Sequence, residues 1–546
     1  VVMNEDNTSK MGLIRKALYI WAVQYHFVIP KEILKGYIEK YRTESHNISE
    51  YGQRFYDPQD PDQYHKWLTF QNYEKSSEMN SITFIGNQIE NVRSFNMPHI
   101  SMDILHTDQI HTDYACICSS DTVFYDCFTA YAGECANHDL TFFDSDYAVN
   151  GKRNNPQLRP DFSYDTLRGF NCVGPVWIIR TDLLKQFEGQ KMNPYAWLLE
   201  LSDQKLNWGH IEKIVYGNTV KPVCEIDKLK QYFNSHHISA SASVNPDGIS
   251  VDVKYELKGN PSVSIVIPTR DGKDVLKKCL NSIFEKTSYN NYEVIIADNG
   301  STEKETLAYF TELKKKNNIR IISLPGKFNY SRINNQAIAQ AKGEYIVLLN
   351  NDTAVISHEW LENMLAYAQQ NWIGTVGVKM YYEDGTIQHG GVISGKGGAA
   401  AHRYYRKPHD EKGYMHTLET ANDVACCTAA CLMFSREKYD EMHGLDEELS
   451  VQFNDVDFGL RLLEKGYFNV FLPYVEMYHY ESKSRGIDKD RQSVERYVSE
   501  VEFAQKKWAR YIVHDPYYND NFDKSYDYML IAGQGSSGFT GSKRSD

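Results

Sequence analysis

After residue 261 the chain alternates between apolar runs and amphipathic stretches. The runs SVSIVIP, YEVIIAD, IRIISL, EYIVLLN and VGVKM read as strands, and the stretches DVLKKCLNSIFEK, KETLAYFTELKKK, INNQAIAQA and HEWLENMLAYAQQ between them read as helices. Strand and helix taking turns at this spacing predicts βαβ units on a mostly parallel sheet, and unbroken apolar runs predict strands buried on both faces. The fold class expected here is α/β. Beyond Gly390 the pattern becomes irregular until FGLRLLEKG and a final helix from about Asp488 to Ile512. Apolar runs also occur earlier, at SITFIGN, YACICSS, LTFFDSD and VGPVWIIR, which predicts a second α/β region.

The expected layout is a helical lead-in and polar connector over 1–75, an α/β region over 76–235 and a turn-rich linker over 236–260. A second α/β region over 261–486, a helical extension over 487–532 and a disordered tail over 533–546 complete it. The apolar stretch Ala17 to Pro30 is interrupted by Gln24 and His26 and is shorter than the roughly 20 residues that span a bilayer. No signal peptide or transmembrane helix is expected. That stretch is read as a core-packed helix, with a membrane-surface helix as the other reading.

Composition narrows the function. A net charge of −13 excludes broad nucleic-acid affinity, which needs a basic surface. The ten cysteines form no CxxC pair, so neither a zinc site nor a disulfide framework is indicated, and a reducing compartment fits.

Candidate chemistry sits at strand ends, beyond which ligands of open α/β sheets bind. The first run of the second region ends in Pro268-Thr269-Arg270-Asp271, with no GxGxxG of a dinucleotide site. The next ends in Asp298-Asn299-Gly300-Ser301, where the carboxylate could accept from a base or ribose, or cap the next helix. Asn350-Asn351-Asp352 follows a fully apolar run, and a carboxylate there suits Mg²⁺ or Mn²⁺ bridging phosphates, or else an N-cap.

In order along 262–486 stand VSIVIPTRD, EVIIADNGS, FNYSRINNQAIAQAKGEYIVLLNNDT, HGGVI, TAACLMFSRE, GLDEELSVQFNDVDFGLRLLEKGY and YHYESKSRG. Together they resemble the inverting glycosyltransferases of family 2, which have a GT-A fold. The resemblance implies that Pro268, Thr269, Arg270, Asp271, Asp298 and Asn299 hold the nucleotide of an activated sugar, with Lys327 and Asn334 as further donor contacts. Asn350-Asn351-Asp352 stands where the family has DxD, so the first Asp is replaced. Asn351 and Asp352 would then face the donor, with Asp352 and His479 as ligands of Mn²⁺ or Mg²⁺. Asp455 would be the catalytic base, with Asp457 a structural or acceptor-orienting partner and Asn454 a further acceptor contact, while His389, Gly390, Gly391 and Thr428 would line the sugar and acceptor pocket or else form tight turns and buried loop contacts. The expected donor is a UDP- or dTDP-sugar and the expected acceptor a glycan, lipid-linked in tandem-domain enzymes that build rhamnose- or galactose-containing bacterial polysaccharides. A cytoplasmic protein is implied, peripheral at the inner face of the plasma membrane, with homo-oligomer formation open.

The 76–235 region resembles a worn GT-A-like copy of the same unit. Asp144-Ser145-Asp146 is read as its DxD, while Asn193-Pro194-Tyr195-Ala196-Trp197 stands at the base motif and Gly217 where the histidine would fall. It is expected to be catalytically silent and to bind acceptor glycan or mediate assembly. A noncatalytic scaffold that keeps the fold is the competing reading for the whole chain, supported by the missing first Asp of DxD.

Overall fold

The computed structural model describes residues 55–56, 61–69, 82–87, 97–149, 152–481, 491–524 and 531–532. The lead-in up to residue 54, including Ala17 to Pro30, and the tail from 533 lie outside the described residues. Inside the expected polar connector a helix forms, α1 (Pro61–Thr69). Proline is tolerated at its first position, and Tyr64 and Trp67, three residues apart, share a buried face.

An eight-stranded sheet follows, made of β1 (Ile82–Gly86), β2 (His99–Ser101), β3 (Tyr114–Ile117), β4 (Thr122–Phe124), β5 (Leu140–Val149), β6 (Lys152–Gln157), β7 (Trp177–Arg180) and β8 (Trp208–Asn218). Helix α2 (Tyr164–Gly169) lies between β6 and β7, and α3 (Pro194–Ser202) precedes β8. An antiparallel hairpin, β9 (Ala240–Val244) and β10 (Val251–Tyr255), occupies the expected linker. Its turn is closed by Asp247, which accepts from the amides of Ile249 and Ser250.

The second sheet has ten strands. They include β11 (Val263–Thr269), β12 (Tyr292–Asp298), β13 (Ile319–Ser323), β14 (Tyr345–Leu349), β15 (Thr353–Val355), β16 (Ile373–Tyr381), β17 (Ile387–His389), β18 (Asn422–Val424), β19 (Cys431–Ser435) and β20 (Phe468–His479). Around them pack α4 (Lys273–Lys286), α5 (Lys304–Leu313), α6 (Tyr330–Ile338), α7 (Trp360–Ala368), α8 (Arg436–Glu441) and α9 (Asn454–Glu464). Helices α10 (Arg491–Lys507) and α11 (Ala509–Val513) close the chain's helical part. Where the sequence predicts parallel pairing, β13-β12-β11-β14 are parallel. Beyond β14 the sheet turns mixed, because β19 pairs antiparallel to both β14 and β16.

The two sheets share one plan. The first runs β2-β1-β3-β7-β5-β8-β4 and the second β13-β12-β11-β14-β19-β16-β20-β15. Without the edge strand β13 the orders coincide, and the matched strands follow one another along the chain in the same sequence. Parallel pairs β2/β1, β1/β3 and β5/β8 match β12/β11, β11/β14 and β16/β20. Antiparallel pairs β3/β7, β7/β5 and β8/β4 match β14/β19, β19/β16 and β20/β15. The side strand β6 on β5 likewise matches β17 on β16.

A continuous apolar core runs from Ile85 in the first sheet through Val251 and Val253 of the hairpin to Met477 in the second. Between the halves, Asp423 accepts from the Ser163 hydroxyl and the Asp165 amide, both at 2.9 Å. Asp165 in turn accepts from Trp372 and Tyr255. A Cβ on Gly169 would lie 2.3 Å from the Thr420 hydroxyl, so only glycine lets α2 approach this closely. The segment after α11 straps the halves together. His514 pairs with Asp161 at 2.8 Å, Asn519 donates to Asp144 at 2.9 Å, and Asp515 accepts from the Ser394 amide at 2.6 Å. Among the described residues no helix is long and apolar enough to cross a membrane.

Candidate active site

The carboxyl ends of the parallel strands meet at one edge, where Thr269 of β11 lies opposite Asp298 of β12 and Asp298 opposite Ser323 of β13. Asp298 is buried, and its Oδ1 accepts from the Ser301 amide at 2.9 Å and hydroxyl at 2.6 Å. The turn-forming reading of Asp298 is therefore true of one oxygen. Oδ2 makes no hydrogen bond within the described residues and is left for a ligand. Asn299 donates to the Leu324 carbonyl at 2.8 Å, tying down the loop after β13, while its buried Oδ1 has no partner.

Asp271, in left-handed backbone at φ 53°, accepts from the Thr302 and Glu303 amides, and these bonds hold its carboxyl below its usual range. It caps the turn before α5. Pro268 is half-buried at the end of β11, and Arg270 and Lys327 are exposed beside this edge. Asn334 is fully buried in α6, where it donates to the Tyr330 carbonyl at 2.9 Å and keeps an unpartnered Oδ1.

Asn350, Asn351 and Asp352 leave β14 together. Asn351 donates to the Thr269 hydroxyl at 2.9 Å, which ties this turn to the neighbouring strand. Strand β15 then pairs with the end of β20, setting Thr353 opposite His479. As a result Asp352 Oδ1 lies 3.2 Å from His479 Nε2. Burial alone would raise the Asp352 carboxyl and lower the His479 imidazole. Their mutual hydrogen bond and charge outweigh it, so Asp352 is held below and His479 above the ordinary value.

These two groups fit a divalent cation. Octahedral ligands at about 2.1 Å sit about 3 Å from one another, close to the observed separation. Gln388 adds what the sequence reading missed. Its Oε1 lies 2.7 Å from His479 Nδ1, while its Nε2 donates to Glu481 at 3.1 Å, so Nδ1 carries the proton and Nε2 is the nitrogen that would face a metal. Asn350, which replaces a carboxylate in the motif, lies 3.3 Å from the same Nε2 through its amide nitrogen. Gln388 stands next to His389, an adjacency that could have flagged it.

Asp455 occupies the first turn of α9, with Oδ2 accepting from the Ala429 amide and Oδ1 from the Val456 amide, both at 2.9 Å. The loop from Thr428 to Ala430 gathers the site. The Asn350 amide donates to the Ala430 carbonyl, Ala429 holds Asp455, and the Thr428 amide points at His389 Nε2. His389 is fully buried against His402, with the two Nδ1 atoms 2.9 Å apart. Burial holds both imidazoles below their usual value, and His402 also feels the charges of Glu481, Asp455 and His479. The charges of Asp455, the expected base, and of His479, one expected metal ligand, thus both act on one histidine absent from the sequence reading. A Cβ on Gly390 would lie 2.9 Å from the Leu418 Cδ2 methyl, so a side chain there would displace that leucine.

Asp457 and Asn454 are turned inward. Asp457 is fully buried and accepts from Trp508 at 3.0 Å, Arg461 at 2.8 Å and Lys507 at 2.7 Å. These three partners agree with the structural of the two readings of Asp457. Asn454 donates to the Val451 carbonyl.

In the first half the shared topology corrects the position of the motif. Asp144 and Asp146 lie on β5, whose counterpart is β16, whereas the counterpart of Asn350-Asn351-Asp352 is Ser119-Ser120-Asp121 after β3. Thr122 lies opposite Asn218 just as Thr353 lies opposite His479, so Asn218, and not Gly217, takes the histidine's place. Asp146 accepts from Tyr64, Tyr125 and Arg153, and Asp144 from His210, Asn519 and the Arg159 amide. Both carboxylates are saturated by the protein. At the start of α3, Tyr195 holds the place that Asp455 holds in α9, and donates to the Leu167 carbonyl.

Residues 264–442 match the family described as Glycosyl transferase family 2. The second half therefore carries a glycosyltransferase family 2 domain. Over 411 residues the chain is 34% identical to an uncharacterized protein, y4gI, of Sinorhizobium fredii, covering 70% of this chain and 45% of that one. It is 30% identical over 410 residues to the O-antigen biosynthesis protein RfbC of Myxococcus xanthus, covering 70% of this chain and 31% of that one. The matches thus span less than half of either relative. A mannosyltransferase of Pyrobaculum calidifontis, solved with GDP-Man and Mn²⁺, is 16% identical at a TM-score of 0.35, covering 47% of this chain and 66% of that one.

Proposed function

We propose that the second half catalyses metal-dependent, inverting transfer of a sugar from a UDP- or dTDP-sugar to a hydroxyl of a growing, lipid-linked bacterial cell-surface polysaccharide. The observation that carries this reading is that the Thr428–Ala430 loop holds Asp455 through the Ala429 amide and, through the Ala430 carbonyl, the Asn350 amide of the turn whose Asp352 faces His479. Asp298 Oδ2 receives the nucleotide at the carboxyl edge of β12. Asp455, fixed by two amides, takes the proton from the acceptor hydroxyl as it attacks, a role worth typically about 10²- to 10⁴-fold. Asp352 and His479 would hold a Mn²⁺ or Mg²⁺, which would supply charge neutralisation at the leaving diphosphate. With Asp455 as a single base and no carboxylate nucleophile required, displacement occurs once and the anomeric configuration inverts.

We assign the first half a noncatalytic role in holding acceptor glycan or in assembly, because Tyr195 and Asn218 stand where the base and the histidine ligand stand in the second half. The RfbC relative's printed role in O-antigen biosynthesis supports the polysaccharide assignment. We place the protein in the cytoplasm, peripheral at the inner membrane face.

The test is Asp455→Asn, whose amide oxygen still accepts from Ala429. Transfer is expected to fall about 10²- to 10⁴-fold while a nucleotide sugar with Mn²⁺ still raises the melting temperature. Undiminished turnover would remove Asp455 from the mechanism. Failure of the wild type to release nucleoside diphosphate with any donor would favour the scaffold reading.

A further inference from the structure

The loop that delivers Asp455 is not held by its own helix. Helix α9 starts after Phe453, which is left-handed at φ 61° and offers no side-chain cap. A side chain in that conformation persists only where its surroundings enforce it. The enforcing group comes from α10. Glu500 is 4% exposed, and its Oε1 accepts from the Ser450 amide at 3.0 Å, the Ser450 hydroxyl at 2.7 Å and the Val451 amide at 3.1 Å. Its Oε2 accepts from the Gln452 amide at 2.8 Å. Three successive amides converging on one carboxylate make a charge-assisted anion nest.

Farther along the same helix, Lys507 and the adjoining Trp508 grip Asp457, two residues beyond Asp455. Tyr497 of α10 also lies 6.2 Å from the Phe453 ring, centroid to centroid. The helix thus fixes the chain on both sides of Asp455 without touching it. On its other side the loop is held by α6, whose Tyr330 amide donates to the Ser450 carbonyl and whose Ser331 hydroxyl donates to Leu449. The α10 helix lies beyond the family match, which ends at residue 442.

We infer that Glu500 is a positioning residue for Asp455, and that α10 is a brace setting the carboxylate where an acceptor hydroxyl must meet it. The inference rests on the proposed role of Asp455. Angular or translational error in a base is costly, because a misplacement of about 1 Å can lower a rate about 10²-fold. Glu500→Ala removes the whole nest, whereas Glu500→Gln keeps an acceptor for Ser450 and Val451 and loses the one for Gln452.

The experiment uses the full chain and two readouts. In steady-state assays with Mn²⁺, Glu500→Ala is expected to lower kcat about 10- to 100-fold with donor KM within about twofold, and Glu500→Gln to fall between it and the wild type. Hydrogen exchange is expected to show faster exchange of the 450–453 amides in Glu500→Ala, with strands β11, β12 and β14 unchanged. Unchanged exchange at 450–453 would overturn the brace. So would an alanine variant whose kcat stays within about twofold of the wild type, or one whose donor KM, melting temperature and kcat all deteriorate together. If the wild type transfers from no donor, the catalytic reading fails, and the exchange measurement still decides whether Glu500 orders the loop.

Discussion

The two halves have the same strand order and the same pattern of parallel and antiparallel pairs, yet they use their polar residues in opposite ways. In the first, Asp146 accepts from Tyr64, Tyr125 and Arg153, and Asp144 is enclosed by His210, Asn519 and the Arg159 amide. In the second, Asp298 keeps one oxygen free, and Asp352 faces a histidine whose other nitrogen is already fixed by Gln388. A shared sheet therefore does not carry function with it. What separates these carboxylates is unspent bonding capacity.

The sharpest way to break this comparison is to exchange equivalents. Asp455→Asn should cost about 10²- to 10⁴-fold in turnover, whereas Tyr195→Phe at the matching place should leave turnover unchanged and cost about 1 kcal/mol of stability through its lost hydrogen bond to Leu167. Steady-state rates and urea denaturation on both variants decide it. Equal loss of turnover would mean that the first half takes part in the chemistry.

Next in size is His479→Asn, which gives the second half the residue its counterpart has at 218. Mn²⁺ affinity, followed by calorimetric titration without substrate, should drop at least about tenfold. Binding in the wild type should also tighten as pH rises through the elevated value of His479, because the cation displaces the Nε2 proton that Asp352 stabilises. A pH-independent affinity would place the cation elsewhere.

Asp146→Asn should act on stability alone. It leaves the Arg153 guanidinium with a weaker partner and should cost about 1–3 kcal/mol in a denaturant titration, with transfer by the folded protein unaltered. A loss of donor binding would show that this carboxylate serves a ligand after all.

The smallest effect concerns the strap that closes the first half. His210 is fully buried, which alone would depress it, yet the charges and hydrogen bonds of Asp144 and Asp161 push it up to about 9. An unfolded histidine titrates near about 6.5. Its stabilising contribution is therefore complete below that value and is lost as pH rises through about 9. Melting temperatures across this range should decline in the wild type and flatten in His210→Asn.

Much of this was legible in the sequence. Unbroken runs such as VSIVIPT and YEVIIAD marked the buried parallel strands, since both their faces must be apolar. The order of the motifs picked out Asp298, Asp352, Asp455 and His479; in the structure Asp352 faces His479, and one loop bonds both Asp455 and the turn that carries Asp352. The first-half motif was misplaced because Asp144-Ser145-Asp146 has the right letters on the wrong strand. Strand pairing assigns the position to Asp121 and Asn218, and no spacing rule shows which strands pair. Gln388, His402 and Glu500 were missed for the same reason. Gln388 and Glu500 act through partners far along the chain, His402 is set against His389 only by a turn between short strands, and a glutamate on an amphipathic helix looks like any solvated one.

By itself the sequence determined the α/β class, the strands that form the site edge and the kinds of group offered there. Those follow from local hydrophobic periodicity and from residue chemistry. Only the tertiary structure decided which of those groups remain available. Availability depends on whether another part of the fold has taken up a carboxylate's lone pairs or a histidine's nitrogen, and that is a property of three-dimensional neighbours.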